Sequence, residues 1–272
     1  MRVAPGKEAA PVQYIEVGQH RLRVSIRGRG KPLLLLMGIG GNIEMWGPFR
    51  EALRGFRTIA FDAPGTGSSS VPRLPLRMPS LARMTAGLIE ALGYKSVDVL
   101  GVSFGGAVAQ QLAKDRPELV GRLVLAATTF GMGAVPGDPL AMLILATPHR
   151  YYSPAYFRYV APHLYGGAIR RNRGLVQSQS NVGAGHPPSV VGYLWQLAGV
   201  TGWSSLPWLY RIRQPTLVIN GDDDPIIRVT NGRILALLIP RARLHVIPGG
   251  GHLFLLDQAP EAAAVVGRFL SE

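Results

Sequence analysis

Residues Val97 to Leu112 read VDVLGVSFGGAVAQQL, and no other stretch limits the possible folds so strongly. A β-branched run, Val97 to Val102, breaks at Gly101-Val102-Ser103-Phe104-Gly105. Beyond it Ala107, Val108, Ala109 and Leu112 return at helical spacing, which predicts a strand, a sharp turn and a helix. The turn matches G-x-S-x-G, a pattern with a steric cause. Lifting the Ser103 hydroxyl clear of a sheet strains its backbone, and only residues as small as Gly101 and Gly105 let strand and helix approach that closely. The helix then aims its unpaired N–H groups at the same spot.

The 272 residues suit one large α/β domain with an insertion, or two small domains, and 47% hydrophobic against 17% charged residues describes a sizeable core. The net charge of +13 comes from 29 basic residues, 25 of them arginine, spread along the chain. No basic run with interleaved aromatics and no nucleic-acid motif accompanies them, so nucleic acid is excluded as a partner and an acidic surface is retained. With no cysteine, disulfides, thiolate catalysis and zinc-thiolate sites are ruled out. Met1 to Val12 lacks the apolar stretch of a secretory signal and reads as a short flexible tail. No run approaches the roughly 18 apolar residues of a transmembrane segment, and a cytoplasmic location is expected. Nothing in the sequence fixes an oligomeric state.

Taken in order, Tyr14 to Val17 and Arg21 to Ile26 read as a hairpin with His20 as a solvated turn residue. Leu33 to Met37 is a strand buried on both faces, running into Gly38-Ile39-Gly40-Gly41-Asn42 and a helix to about Leu53. After such a strand, glycines let main-chain N–H groups face a ligand. Thr58 to Phe61 is a strand followed by Asp62 to Ser70, where Gly65 and Gly67 lack the third glycine of a dinucleotide loop. Asp62 is expected to fix this turn. Pro79 to Leu92 is an amphipathic helix and Arg122 to Ala127 a further strand, so the sheet is doubly wound and mostly parallel.

From 131 to 208 the alternation stops. Ten aromatics (Tyr151, Tyr152, Tyr156, Phe157, Tyr159, Tyr165, Tyr193, Trp195, Trp203, Trp208) mix with five arginines and one acid, Asp138. This predicts a helical cap inserted between core segments 1–130 and 209–272. His149, His163 and His186 lack metal-ligand spacing, so neither a metal nor a cofactor is expected. Strands resume at Pro215 to Asn220, then Gly221-Asp222-Asp223-Asp224-Pro225, a helix at about Thr230 to Leu238, a strand from Leu244 to Ile247, and Gly249-Gly250-Gly251-His252 before a closing helix.

Three loops at the carboxyl ends of strands thus offer Ser103, Asp224 and His252. That chain order is the one expected of the α/β-hydrolase arrangement. A serine hydroxyl needs a base such as His252, and the base needs a carboxylate to hold its tautomer. Asp224 is preferred over Asp222 and Asp223 because Pro225 stiffens the turn behind it. The backbone N–H groups of Ile39 and Phe104 are expected to form an oxyanion hole.

Much of the chain, from about residue 12 to 270, also resembles the intracellular depolymerases of medium-chain-length polyhydroxyalkanoates. The likeness runs through Met37 to Asn42, Ala60 to Ser68, Gly101 to Gly106, Leu123 to Ala127, Pro215 to Val218, Gly221 to Pro225 and Gly251 to Leu255. Its more specific pieces lie in the cap: Tyr165-Gly-Gly167, Tyr193-Leu-Trp-Gln-Leu197 and Gly202-Trp203. The resemblance implies hydrolysis of a stored hydrophobic polyester through an acyl-serine, without metal or cofactor, with nucleophile, acid and base on Ser103, Asp224 and His252; the aromatics and arginines of 131–208 add the expectation of a patch that docks on polyester granules. Such depolymerases typically carry tryptophan after the serine; here Phe104 stands there, so chain-length preference is the property this departure touches. Two other readings use the same fold. A carboxylesterase or lipase acting on small or medium-chain esters would share the three residues, and a ligand-binding protein of this fold would not need them intact.

Overall fold

The computed structural model describes residues 12–172, 174–177 and 185–272. The expected flexible tail therefore lies outside the described residues except for Val12. Among these residues eight strands form one sheet in the order β1-β2-β4-β3-β5-β6-β7-β8. They are β1 Val12–Val17, β2 His20–Arg27, β3 Lys31–Leu36, β4 Phe56–Phe61, β5 Val97–Val102, β6 Val120–Ala126, β7 Thr216–Gly221 and β8 Ala242–Ile247. β2 pairs antiparallel with both β1 and β4, and every other pairing is parallel.

The unbroken apolar run of β3 has a direct explanation in the layers. Leu33 and Leu35 pack into the core on one face of the sheet, and Leu34 and Leu36 into the core on the other. The first core is closed by α1 (Gly47–Ala52) and the C-terminal helix Ala259–Ser271, the second by α2 (Met78–Ala91) and α3 (Phe104–Asp115). A strand covered on both faces has no polar side to alternate with.

His20 differs from its expectation. It pairs with Val17, begins β2 and is buried. The hairpin closes in two residues, with Gly18 at φ 58° supplying the positive φ of such a turn, so His20 is drawn into the strand.

Between β6 and β7 the chain forms α4 (Pro139–Leu145), a 3₁₀ turn (His149–Tyr151), α5 (Pro154–Tyr165), α6 (Gly167–Arg171), α7 (Val190–Val200) and a second 3₁₀ turn (Leu206–Arg211). Contacts between glycines seat this segment on the sheet. A Cβ on Gly192 would lie 2.4 Å from the Gly65 Cα, and one on Gly137 2.4 Å from the Ile226 carbonyl oxygen. Of the ten aromatics only Tyr152 and Tyr159 are exposed, and Tyr151, Phe157, Tyr165 and Tyr193 are fully buried. The outer face is instead aliphatic, with Leu140, Met142, Leu143, Val190, Val191 and Leu194 open to solvent.

One buried carboxyl weakens the closing segment. Burial pushes the Asp257 carboxyl up to about 6, only partly offset by nearby backbone N–H groups, its own first among them, and by the Arg171 charge. An unfolded aspartate titrates near about 4, so the folded state holds its proton more tightly and ionisation above pH 6 works against folding. We predict that Asp257→Asn raises the urea midpoint at pH 8. The gain should shrink as pH falls through about 6 and vanish near about 4. Denaturation curves at pH 8 and pH 5 check this.

Candidate active site

Ser103 sits at φ 54°, one of two non-glycine residues with positive φ among those described; the other is Ala127 at φ 41°. Such backbone strain costs of order 1–3 kcal/mol and persists only where the surroundings enforce it. Here the enforcement is steric. A Cβ on Gly101 would lie 2.3 Å from the Gly105 carbonyl oxygen, and one on Gly105 2.1 Å from that of Leu36. Gly106, which the pattern did not single out, is as tightly bound, with Thr128 side-chain atoms 2.5 Å from its hypothetical Cβ. Thr128 in turn donates its hydroxyl to the Ser103 carbonyl at 2.7 Å.

The three consecutive acids have three different tasks. Asp224 accepts from the N–H groups of Ile226 and Ile227 at 2.8 and 2.9 Å through Oδ1, while Oδ2 lies 2.8 Å from His252 Nδ1. Both residues are buried, at 4% and 7% exposure, so solvent screens the pair little. Asp223 accepts from the Gly167 N–H and pairs with Arg170 at 2.9 Å, tying α6 to the sheet. Asp222 accepts from the Gly249 N–H at 2.6 Å and braces the loop that carries His252. With the carboxylate on Nδ1, the histidine presents Nε2 as its free acceptor. The backbone that carries His252 is fixed from α5 as well, since its main-chain N–H donates to the Tyr165 carbonyl at 2.7 Å.

Ser103 and His252 line one small cavity of about 40 Å³ together with Gly38, Ile39, Arg150 and Tyr165. A second, of about 290 Å³, meets it at Ser103 and Ile39 and is walled by apolar residues including Phe104, Leu197, Trp203 and Ile226. Gly38 rests on the serine, its hypothetical Cβ being 3.3 Å from the Ser103 Cβ. The Ile39–Gly40 peptide is held at both ends. Tyr151 donates its hydroxyl to the Ile39 carbonyl at 2.8 Å, and the Gly40 N–H donates to Gln196 Oε1 at 2.8 Å. Phe104 opens α3, where first-turn N–H groups have no partner within the helix.

Asp62 is fully buried and joins two loops beside the site. It accepts from the Ile43 and Ser68 N–H groups at 2.8 and 3.1 Å and from Arg23 at 3.0 Å. Burial raises its carboxyl, against the pull of these hydrogen bonds. Among the described residues no group of three or more His, Asp or Glu is placed to hold a metal ion.

The elbow glycines give a direct test of the steric reading. Gly105→Ala should destabilise the protein by about 3 kcal/mol or more, because its Cβ meets backbone that cannot retreat. Gly47→Ala, in helical conformation with open space around its Cβ, should be neutral or gain about 0.5–1 kcal/mol. Thermal unfolding of the two variants checks the contrast.

Comparison with known proteins agrees with this geometry. Residues 33–265 match the model of the Alpha/beta hydrolase family. A poly(3-hydroxyalkanoate) depolymerase of Ectopseudomonas oleovorans is 46% identical over 264 residues, covering 95% of this chain and 92% of that protein. A 2-hydroxymuconate semialdehyde hydrolase of Pseudomonas sp. (strain CF600) is 30% identical, with 97% of both proteins covered. Among solved structures, a hydrolase from Pseudomonas aeruginosa PA01 superposes with a TM-score of 0.83 at 27% identity, over 97% of this chain and 100% of that one. A strained serine between sheet and helix, a buried acid–histidine pair on the following strand loops and a match along most of the length lead to one assignment: the chain belongs to the alpha/beta hydrolase family.

Proposed function

We propose that this protein is a serine ester hydrolase that cleaves the ester bonds of a medium-chain-length polyhydroxyalkanoate. The observation that carries the reading is the buried Asp224–His252 pair, 2.8 Å apart, whose histidine lines the same cavity as Ser103. In this reading Ser103 is the nucleophile, His252 the base that takes its proton, and Asp224 the carboxylate that orients the ring and stabilises its charged form. The N–H groups of Ile39 and Phe104 receive the developing oxyanion, and the pinned Ile39–Gly40 peptide keeps the first of these donors in place. The polyester substrate is carried over from the depolymerase of Ectopseudomonas oleovorans, 46% identical over most of both proteins. We treat 131–208 as a cap over a core of 1–130 and 209–272, acting in the cytoplasm at the surface of stored polyester.

An insoluble polymer must be met at an interface, which calls for apolar surface at the entrance. Val135 and Met142 line the large cavity and are also exposed, so they mark its mouth. Met132, Leu140, Leu143 and Leu206 are exposed around them. The residues named at this mouth are apolar, and Arg170 and Arg171 share Asp223 as a partner. Docking by apolar contact is therefore favoured over the electrostatic attraction that the net charge alone would suggest. A carboxylesterase of small soluble esters would use the same residues, and the apolar volume of about 290 Å³ is compatible with it.

Ser103→Ala should lower ester hydrolysis by about 10⁴ to 10⁶ with the fold intact. Asp224→Asn should cost orders of magnitude more activity than Asp222→Asn or Asp223→Asn, whose losses should appear in stability. Turnover of p-nitrophenyl octanoate beside thermal melts checks both, and a crippling effect at 222 or 223 would move the acid. Polyester docking is tested with inactive Ser103→Ala protein and washed polyester particles. It should pellet with them at high salt, and Leu143→Asp should reduce the pelleted fraction. Pelleting no greater than that of an unrelated basic protein favours the small-ester reading.

A further inference from the structure

Arg150 stands on the 3₁₀ turn between α4 and α5 with only 4% of its surface exposed. A guanidinium carries five N–H donors. Nε donates to the Tyr165 hydroxyl at 3.1 Å, and Nη1 to the Thr147 carbonyl and the Tyr193 hydroxyl, both at 2.9 Å. Nη2 reaches only the Tyr151 hydroxyl, at 3.5 Å, the outer limit of a hydrogen bond. The plane is held by stacking, with Cζ 4.5 Å from the Tyr151 ring centre and 5.2 Å from that of Tyr193. Burial pushes both of these phenols up, so they stay neutral and bring no negative charge.

None of the carboxylates nearby is available to this cation. Asp138, the one acid of the cap, caps α4 through the Leu140 and Ala141 N–H groups. Asp224 is engaged by His252 and two backbone donors, and Asp223 by two arginines and the Gly167 N–H. A buried charge without a counter-ion is strongly unfavourable, and a pre-oriented guanidinium with a donor to spare is suited to receive a carboxylate. Arg150 lines the small cavity that also contains Ser103 and His252.

We propose that Arg150 binds the free carboxylate of the unit that leaves, so that the site selects the carboxyl end of a hydroxyacid chain. This rests on the serine hydrolase reading above. Ser103 Oγ bonds to the carbonyl carbon of the next-to-last unit, and His252 takes its proton. The bond from that carbon to the hydroxyl oxygen of the terminal unit breaks. The departing oxygen receives the proton from His252, and the terminal unit leaves as a free hydroxy acid with its carboxylate at Arg150. A water oxygen then bonds to the acyl carbon and gives a proton to His252, the bond from that carbon to Ser103 Oγ breaks, the proton returns to Oγ, and the released carboxyl group loses its own proton to solvent. The shortened chain now ends in a new carboxylate, so each cycle regenerates the group that Arg150 recognises. The alkyl branches of the retained chain occupy the apolar cavity.

Competition in the wild-type protein tests this without any variant. With p-nitrophenyl octanoate as reporter, 3-hydroxyoctanoate should inhibit at concentrations about tenfold or more below those needed for its methyl ester. Equal inhibition, or stronger inhibition by the methyl ester, overturns the proposal while hydrolysis of the reporter keeps the esterase reading intact. Arg150→Gln gives the second measure. On a 3-hydroxyoctanoate dimer with a free or a methylated carboxyl end, the kcat/KM ratio of acid to ester should fall about tenfold or more. A substitution that merely loosens the cap lowers both values alike and leaves the ratio unchanged, and that result also overturns the proposal.

Discussion

The closeness of backbone to backbone at the elbow determines where α3 can lie, and the site is built outward from it. With carbonyl oxygens of Gly105 and Leu36 occupying the space that side chains on Gly101 and Gly105 would need, helix and sheet approach more closely than any larger residues permit. That approach forces the positive φ of Ser103, and the Thr128 hydroxyl locks the serine carbonyl behind it. Gly38 then rests directly on the serine, which sets the height of the loop carrying Ile39. Gln196 and Tyr151 reach down from the cap to the next peptide. Each contact presupposes the one before it.

With no cysteine in the chain, buried polar side chains hold distant loops together. Asp62 does so for the loops after β3 and β4 through backbone donors at Ile43 and Ser68, and Arg23 supplies the opposing charge. Arg50 works at the β2–β4 edge, bonding the Ser25 and Thr58 carbonyls and both hydroxyls. Burial pushes its guanidinium down to about 9, and the Arg27 charge works in the same direction. Removing one partner from such a cluster strands the others, which is why these residues matter more to stability than exposed pairs such as Arg116–Glu118.

The sheet, its order of elements and the serine turn were legible because they rest on local signals: short apolar runs, glycines after strands, and helical spacing. Asp224 and His252 were legible as loop residues, and the Pro225 argument picked out, of the three acids, the one that lies 2.8 Å from the His252 ring. What the sequence did not reveal depends on packing between distant segments. His20 reads as a turn residue until the two-residue hairpin draws it inside. Gln196 has no special local signature beyond being polar in an apolar helix, and its role follows only from the seating of α7 on the Gly38–Gly41 loop. Nothing in their spacing says which aromatics between 131 and 208 are interior, and most are enclosed or partly covered because the aliphatic residues of α4 and α7 face outward.

The hydrogen bond from the His252 N–H to the Tyr165 carbonyl has a mechanical consequence. Gly167, at the next turn of chain, packs against Gly251 so tightly that a Cβ would lie 2.2 Å from the Gly251 nitrogen, and its N–H is bound by Asp223. The α5–α6 corner is thus welded to the strand loops that carry Asp224 and His252. A hinged door swinging about this corner would carry the imidazole out of register with the serine. The 132–143 stretch is held to the Asp224 loop from its other side, by the Asp138 N–H on the Pro225 carbonyl and by Gly137 against Ile226, so the segments above Asp224 and His252 are tied to both loops and move with them.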